Sequence, residues 1–353
     1  MQKTAKKIVT VVTVVLSVLV LIAATLFVTL LVMLGRIGYE DINGSDYIIE
    51  SIEPDSEESL NSEPDTPSDI LESFTPVESG DVSVGTKPKD KVLNVLLIGC
   101  DSRTDDLRGR TDSIIMLTIN ETRKKILITS IMRDIYCYIP EIDQYNRVNA
   151  AYAFGGTSLL VKTIEHNFGI KTDRHVVINF EIFKDFINDI GGLEMKIEAN
   201  EYNVMMDEVF RWSINEGKRT EEELSYLKNG GTILLDGKEA LGYARIRHTA
   251  GGDFRRTLRQ RKVLMQTFEQ FKEYPIRNTF LLLEKYLPRV KTSFTQAELI
   301  SYIFNFTSYL EYEIDTWRIP EDGTWQYINV GGRSMVGVNF EENLRIWNQK
   351  VYG

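Results

Sequence analysis

Between Asp101 and Asp112 the chain reads DSRTDDLRGRTD, a loop that mixes the carboxylates of Asp101, Asp105, Asp106 and Asp112 with the guanidinium groups of Arg103, Arg108 and Arg110. On composition alone this is a solvated loop whose charge pairs contribute little. Its position argues for more. It opens directly after the apolar run VLNVLLIGC and closes directly before SIIMLTIN, so Asp101 and Asp112 stand at strand ends, where α/β sheets gather ligands. Two carboxylates without an obligate basic neighbour suit a hard cation. Magnesium takes one or two protein carboxylates and fills its shell with water and phosphate oxygens, and arginines beside it grip the same phosphates in bidentate fashion. Both signs at one place make sense when the missing partner is a divalent cation plus a polyanion.

A second cluster, YARIRHTAGGDFRRTLRQRK, carries Arg245, Arg247, Arg255, Arg256, Arg259 and Arg261, with Asp253 its only acid. On a helix, Arg256, Arg259, Gln260 and Val263 share a face through i+3 and i+4 spacing, which leaves Arg255 and Arg261 to solvent. An extended stretch at Arg245-Ile246-Arg247 points both guanidinium groups the same way. The plainer reading is an exposed basic helix; in a neutral domain such a concentration favours an anion receiver.

Other chemistries lack their residues. GGTSLLVKT has no Gly-Lys pair for a phosphate loop, and no G-x-S-x-G elbow is present. The three histidines are scattered and no Cys-x-x-Cys occurs, so no zinc site is indicated. Cys100 and Cys137 are the only cysteines; outside a membrane they could pair, and two thiols packed in or beside strands is the favoured reading.

The elements that must position these groups follow from periodicity. Val92 to Gly99, Ser113 to Asn120 and Ile126 to Met132 read as buried strands, and the short ETRKK turn makes an up-down-up meander. The Asp101–Asp112 loop and Arg133-Asp134 then share one rim. Beyond lie a helix through Ser158 to Asn167 ended by Gly169, with Gly155-Gly156 as an entry turn, then RHVVINF as a strand, EIFKDFINDI as a helix and LEMKI as a strand. Residues 199–231 form an excursion with some helix. DGKEALGYA, GDFRRTLRQRKVLMQTFEQFKEY and TQAELISYIFNFTSYL read as helices, followed by the strands IDTWRIP, TWQYINV and SMVGVNF and a terminal helix from Glu341 to Tyr352. Alternating strands and helices predict a layered α/β sheet covered on both faces.

The first hundred residues differ from the rest. Ile8 to Leu34 is an uncharged apolar run of 27 residues, longer than the about 20 needed to span a bilayer and too long for a signal-peptide core. Lys3, Lys6 and Lys7 precede it, which places residues 1–7 in the cytoplasm, makes 8–34 a retained signal anchor and puts the remainder outside. Residues 35–90 read as an acidic, disordered stalk. Of the formal charge of -10, the anchor with Arg36 contributes +4 and the stalk -14, so the part from Lys87 onward is neutral. A neutral outer domain, 91–353, is a poor partner for nucleic acid.

The blocks NVLLIGCDSR, GRTDSIIMLTIN, KKILITSIMRDIYCYIP, RVNAAYAFGG, VVINFEIFKDFINDIGGLEMKI, LDGKEALGYARIRH and GDFRRTLRQRKVL occur in that order across residues 92–271. Together they resemble the LytR-CpsA-Psr family of Gram-positive bacteria. The resemblance implies a three-layer α/β/α sandwich with a mixed central sheet. It also implies transfer of a glycopolymer, such as teichoic acid or capsule, from a polyprenyl-pyrophosphate carrier to a muramic acid hydroxyl of peptidoglycan. By resemblance Asp101 and Asp112 hold magnesium (with manganese as the substitute), Arg133 joins them in catalysis, and Arg103, Arg110, Arg133, Arg245, Arg247, Arg256, Arg259 and Gln260 surround the pyrophosphate. An apolar channel between sheet and helices is expected for the prenyl tail. Two departures, Cys100 in place of a small residue and Met132 in place of proline, remove no charged group, while the Arg255-Arg256 doublet leaves open which arginine faces inward. A non-catalytic module for lipid-linked glycans and a polyprenyl-pyrophosphate hydrolase are the alternatives.

Overall fold

The computed structural model describes residues 38–39, 90–101, 111–247, 252–272 and 274–353. The tail of residues 1–7, the anchor at 8–34 and nearly all of the expected stalk lie outside them. Among the described residues no helix is long and apolar enough to cross a membrane.

The strands in chain order are β1 Gly38–Tyr39, β2 Val92–Cys100, β3 Thr111–Asn120, β4 Lys125–Ile131, β5 Tyr136–Ile139, β6 Gln144–Arg147, β7 Arg174–Asn179, β8 Leu193–Ile197, β9 Gly231–Leu235, β10 Lys291–Thr292, β11 Glu313–Ile319, β12 Trp325–Val330 and β13 Arg333–Val338. The longer helices are α1 Val148–Phe168, α2 Phe180–Asp189, α3 Gly237–Arg245, α4 Gly252–Lys272, α5 Ile276–Tyr286, α6 Gln296–Tyr309 and α7 Phe340–Tyr352. Seven strands form the central sheet in the order β1-β10-β7-β2-β3-β4-β11. The sheet is mixed: β2–β3, β3–β4 and β10–β7 are antiparallel, while β2–β7, β4–β11 and β1–β10 are parallel. The meander is as the short turn requires.

Both faces are covered because successive side chains of a strand point to opposite sides. Ile114, Met116, Leu127 and Ile131 pack with Leu160 and Ile164 of α1 and Leu344 and Trp347 of α7. Ile115, Ile126 and Ile128 pack on the other side with Leu264 and Met265 of α4. A separate cluster gathers α2, α3, α5, β8, β9 and the excursion 199–231, which is a series of short helical turns centred on Phe210.

Local chemistry sets the ends of these elements. Gly169 takes φ 65° and its N–H donates to Glu165 O, closing α1 as expected. Gly156, at φ 61°, breaks α1 into two helical segments, so the helix begins earlier than Ser158. Asp236 and Glu239 form a capping box at the start of α3. Cys100 and Cys137 are both buried and are not joined in a disulfide. Three features differ from expectation. Gly38–Tyr39 of the expected stalk add a strand to the sheet beside β10, since a sheet edge offers unpaired backbone groups to any passing segment. The hairpin β5–β6 forms although QYNR has no apolar alternation. Helix α5 follows Pro275 at once.

Candidate active site

Antiparallel pairing brings Asp101, just past β2, beside Asp112, near the start of β3. Gly99 pairs with Ser113 and Cys100 with Thr111, so Asp112 is the extra residue of a β-bulge. A bulge re-aims its side chain and takes its carbonyl off the ladder. Here the Asp112 carbonyl accepts a hydrogen bond from Gln260 Nε2 of α4 at 3.2 Å. Thr111 Oγ1 lies 3.1 and 2.9 Å from the carbonyls of Gly99 and Ser113 and stitches the irregularity closed.

Arg133 follows β4 on the same rim. Its Nη1 donates to Asp112 Oδ1. The turn that carries it is fixed on both sides, by Asn149 N–H donating to Arg133 O and Val336 N–H donating to Asp134 O. Arg247 Nη2 stands 3.7 Å from Asp112 Oδ1, and Arg245 Nη2 stands 3.8 Å from Asp101 Oδ2. The Arg245 guanidinium also lies 4.7 Å from the centre of the Phe180 ring. Arg256 is 2% exposed; Nη2 bonds Asp253 Oδ2 at 2.9 Å, while Nε and Nη1 have no partner among the described residues. Of the two adjacent arginines, Arg256 faces inward and Arg255 is exposed.

Two expected positions turn out otherwise. Arg259 is buried and engaged: Nε donates to Glu201 Oε1 at 2.9 Å and Nη1 to Ile246 O at 3.2 Å. These bonds tie it to Glu201 of the excursion and to the segment between Arg245 and Arg247. Arg261, expected in solvent, is 8% exposed. Arg103 and Arg110 lie outside the described residues.

The sequence also concealed a carboxyl pair. Asp134 and Asp253 share a hydrogen bond, with Arg133 Nε 3.5 Å from Asp134, Arg147 Nε 3.4 Å from Asp134 and Arg133 Nε 3.7 Å from Asp253. Burial, and then the proton held between the two carboxyls, pushes Asp134 up to about 6. Burial would raise Asp253 too, but the bond from Asp134 and the cations Arg256, Arg133 and Arg247 hold it below the ordinary carboxylate range. Arg133 is lowered by burial and raised more by Asp134, Asp112 and Asp253, so it titrates above its usual range. Arg256 moves down, through burial and the nearby Arg133.

A cavity of about 260 Å³ opens beside these groups. Its walls include Leu97, Ile178, Phe183 and Val263, while Asp112, Arg245 and Gln260 supply its polar lining. The arrangement can bury a chain of hydrocarbon and hold a charged head at the rim.

Among the described residues no group of three or more His, Cys, Asp and Glu is poised as a metal cage. Asp101 and Asp112 are of the donor type that a hard cation such as magnesium takes. They are hard oxygen donors, two in number, and both guanidinium contacts to Asp112 fall on Oδ1 rather than Oδ2.

The LytR_cpsA_psr family model matches residues 55–350. The polyisoprenyl-teichoic acid–peptidoglycan teichoic acid transferase TagU of Bacillus anthracis is 30% identical over 68% of this chain and 73% of its own length. The crystal structure of Bacillus subtilis TagT is 26% identical with a TM-score of 0.56, over 75% of this chain and 91% of that one. A structure of YwtF (TagT) with bound octaprenyl pyrophosphate lipid shares the fold at 23% identity and a TM-score of 0.54, over 79% of this chain and 94% of that one.

Proposed function

This chain belongs to the LytR-CpsA-Psr family, and from that premise we propose that it is a transferase of cell-wall glycopolymers. In this reading it moves a glycopolymer from a polyprenyl-pyrophosphate carrier to a muramic acid hydroxyl of peptidoglycan, forming a phosphodiester. It works outside the cell membrane, anchored through residues 8–34 with its N-terminus in the cytoplasm. One observation carries the reading: two strand-end carboxylates face Arg133, Arg245 and Arg247 beside the polar lining of an apolar cavity. The relatives' names agree, since TagU is a polyisoprenyl-teichoic acid transferase and TagT holds a prenyl pyrophosphate.

Each residue then has a task. Phe183, Ile178, Val263 and their neighbours take the prenyl tail. Arg133, Arg245, Arg247 and the unfilled Nε and Nη1 of Arg256 bind the diphosphate and neutralise the charge that develops on it. Asp101 and Asp112 would hold magnesium, which when bound screens the phosphate oxygens. The acceptor hydroxyl gives its proton to solvent and its oxygen bonds to the phosphorus nearest the sugar, while the bond from that phosphorus to the bridging oxygen breaks and its electron pair leaves with prenyl phosphate. Alignment and charge neutralisation are what such a transfer requires of a protein.

The test is Asp112→Ala in the full chain, assayed with a lipid-linked glycan and peptidoglycan. Turnover is expected to fall by about 10²–10³-fold, the scale of a lost transition-state contact. Undiminished turnover in a folded variant would remove the basis of the reading, and release of prenyl phosphate without glycan transfer would reassign the chain as a hydrolase.

A further inference from the structure

Arg261 presents a problem that the diphosphate site does not solve. It sits on α4 with only 8% of its surface exposed, and its Nε and Nη1 have no hydrogen-bond partner among the described residues. The charged side chain that bears on it is another cation, Arg318 of β11. Ser130 of β4 is register partner to Arg318, is 1% exposed, and its Oγ also lacks a partner among the described residues. Arg318 has its own partners, Asp322 and the Pro320 carbonyl at 2.9 Å, so among the described residues it is the Arg261 guanidinium that lacks a counter-charge. That is strongly disfavoured, and its open donors with Ser130 Oγ suit an oxyanion.

The surroundings indicate what bears that oxyanion. Phe254 lies two turns before Arg261 on α4 and therefore on the same face. The Arg318 guanidinium is 4.3 Å from the centre of the Phe254 ring, Phe254 lies tilted against Trp325 at 4.2 Å, and Trp325 meets Tyr327 edge-on at 5.2 Å. Tyr327 is 62% exposed. Aromatic faces leading out from a cationic pocket suit a sugar that carries an acid.

Position identifies the sugar. The apolar cavity is walled by β7, β2 and β3, Arg133 follows β4, and Arg318 is on β11, so the rim runs from cavity to diphosphate to this cluster in strand order. In-line displacement brings the attacking oxygen from the side opposite the leaving group. With prenyl phosphate leaving toward the cavity, the acceptor enters from the β11 side. We propose that Arg261 and Ser130 form an oxyanion subsite for the acceptor glycan, beside the Asp322-paired Arg318, with Trp325 and Tyr327 as the surface on which its sugars stack. The proposal rests on the transferase reading above.

The experiment titrates the full chain with three probes: inorganic pyrophosphate, a soluble muropeptide with a free stem carboxylate, and the same muropeptide amidated. Arg261→Gln is expected to weaken the acidic muropeptide by about 10-fold, the scale of a lost charge-assisted hydrogen bond. Its pyrophosphate affinity stays unchanged, and the amidated muropeptide binds wild type and variant alike. Tyr327→Ala, at an exposed position, weakens both muropeptides together. Arg261→Met is expected to raise the unfolding temperature by about 2–4 °C, because it removes an uncompensated buried charge. Equal muropeptide affinity in wild type and Arg261→Gln overturns the subsite. So does a matching loss of pyrophosphate, which would place Arg261 at the diphosphate, or a fall in unfolding temperature with Arg261→Met, which would make the residue a structural support. A wild type that binds no pyrophosphate would defeat the transferase reading and the subsite with it.

Discussion

Two buried arginine networks in this molecule use the same chemistry to opposite ends. In the β8–β9–α3 region Glu239, 2% exposed, accepts from Arg219 Nε at 2.7 Å, Arg219 Nη2 at 2.6 Å and Ser213 Oγ at 2.6 Å, while its Oε2 also takes the Asp236 N–H at 3.1 Å. Arg219 sends a further bond to Leu234 O. Burial would lift the Glu239 carboxyl, yet these donors hold it below its ordinary range. At the rim, Arg256 is equally buried but leaves two nitrogens unfilled. The closed network ties the excursion to α3; the open one is fitted to receive charge. Full satisfaction marks a structural role, and organised deficit marks a ligand.

The strongest challenge to that contrast is to open the closed network. Glu239→Ala leaves Arg219 without its counter-ion and should cost about 3–5 kcal/mol, read by urea unfolding. A loss below about 1 kcal/mol would show that satisfied bonds there are not what joins the region.

A smaller effect sharpens the contrast at the rim. Asp134 titrates near 6 in the folded chain against an ordinary 3.8. The native state thus retains a proton that the unfolded chain releases. Its stabilising share is complete below pH 3.8 and disappears as pH climbs through about 6. Asp134→Asn, which imitates the protonated form before Asp253, Arg133 and Arg147, should gain on wild type by on the order of 1 kcal/mol across that window. Parallel unfolding-temperature curves for the two proteins between pH 4 and 6 would refute the shared proton.

The smallest effect sets the floor. Arg211 and Asp207 pair one turn apart on the excursion with both side chains 67% exposed. Asp207→Ala should change stability by no more than about 0.5 kcal/mol, measured by the same unfolding assay.

What the sequence disclosed depended on whether the cause was local. The meander, its shared rim and the Gly169 stop follow from alternation, a short polar turn and one residue's backbone freedom. Helical spacing placed Arg256 and Gln260 together correctly. It could not set the rotation of α4 against the sheet, so that Arg259 meets Glu201 was not visible, and Arg261, expected in solvent, is buried near Arg318. The bulge at Asp112 has no compositional signature, because it is defined by the partner strand. The Asp134–Asp253 pair joins residues far apart in sequence and becomes visible only when β4 and α4 are both in place.

The little strand at Gly38–Tyr39 joins the start of the chain's described part to the central sheet. Because β1 and β2 belong to one sheet, residues 40–89 begin and end on the same body, whatever their path. In sequence, residues 35–37 lie between the apolar run and the first strand of the sheet. On the anchoring proposed through residues 8–34, the central sheet begins four residues beyond that run.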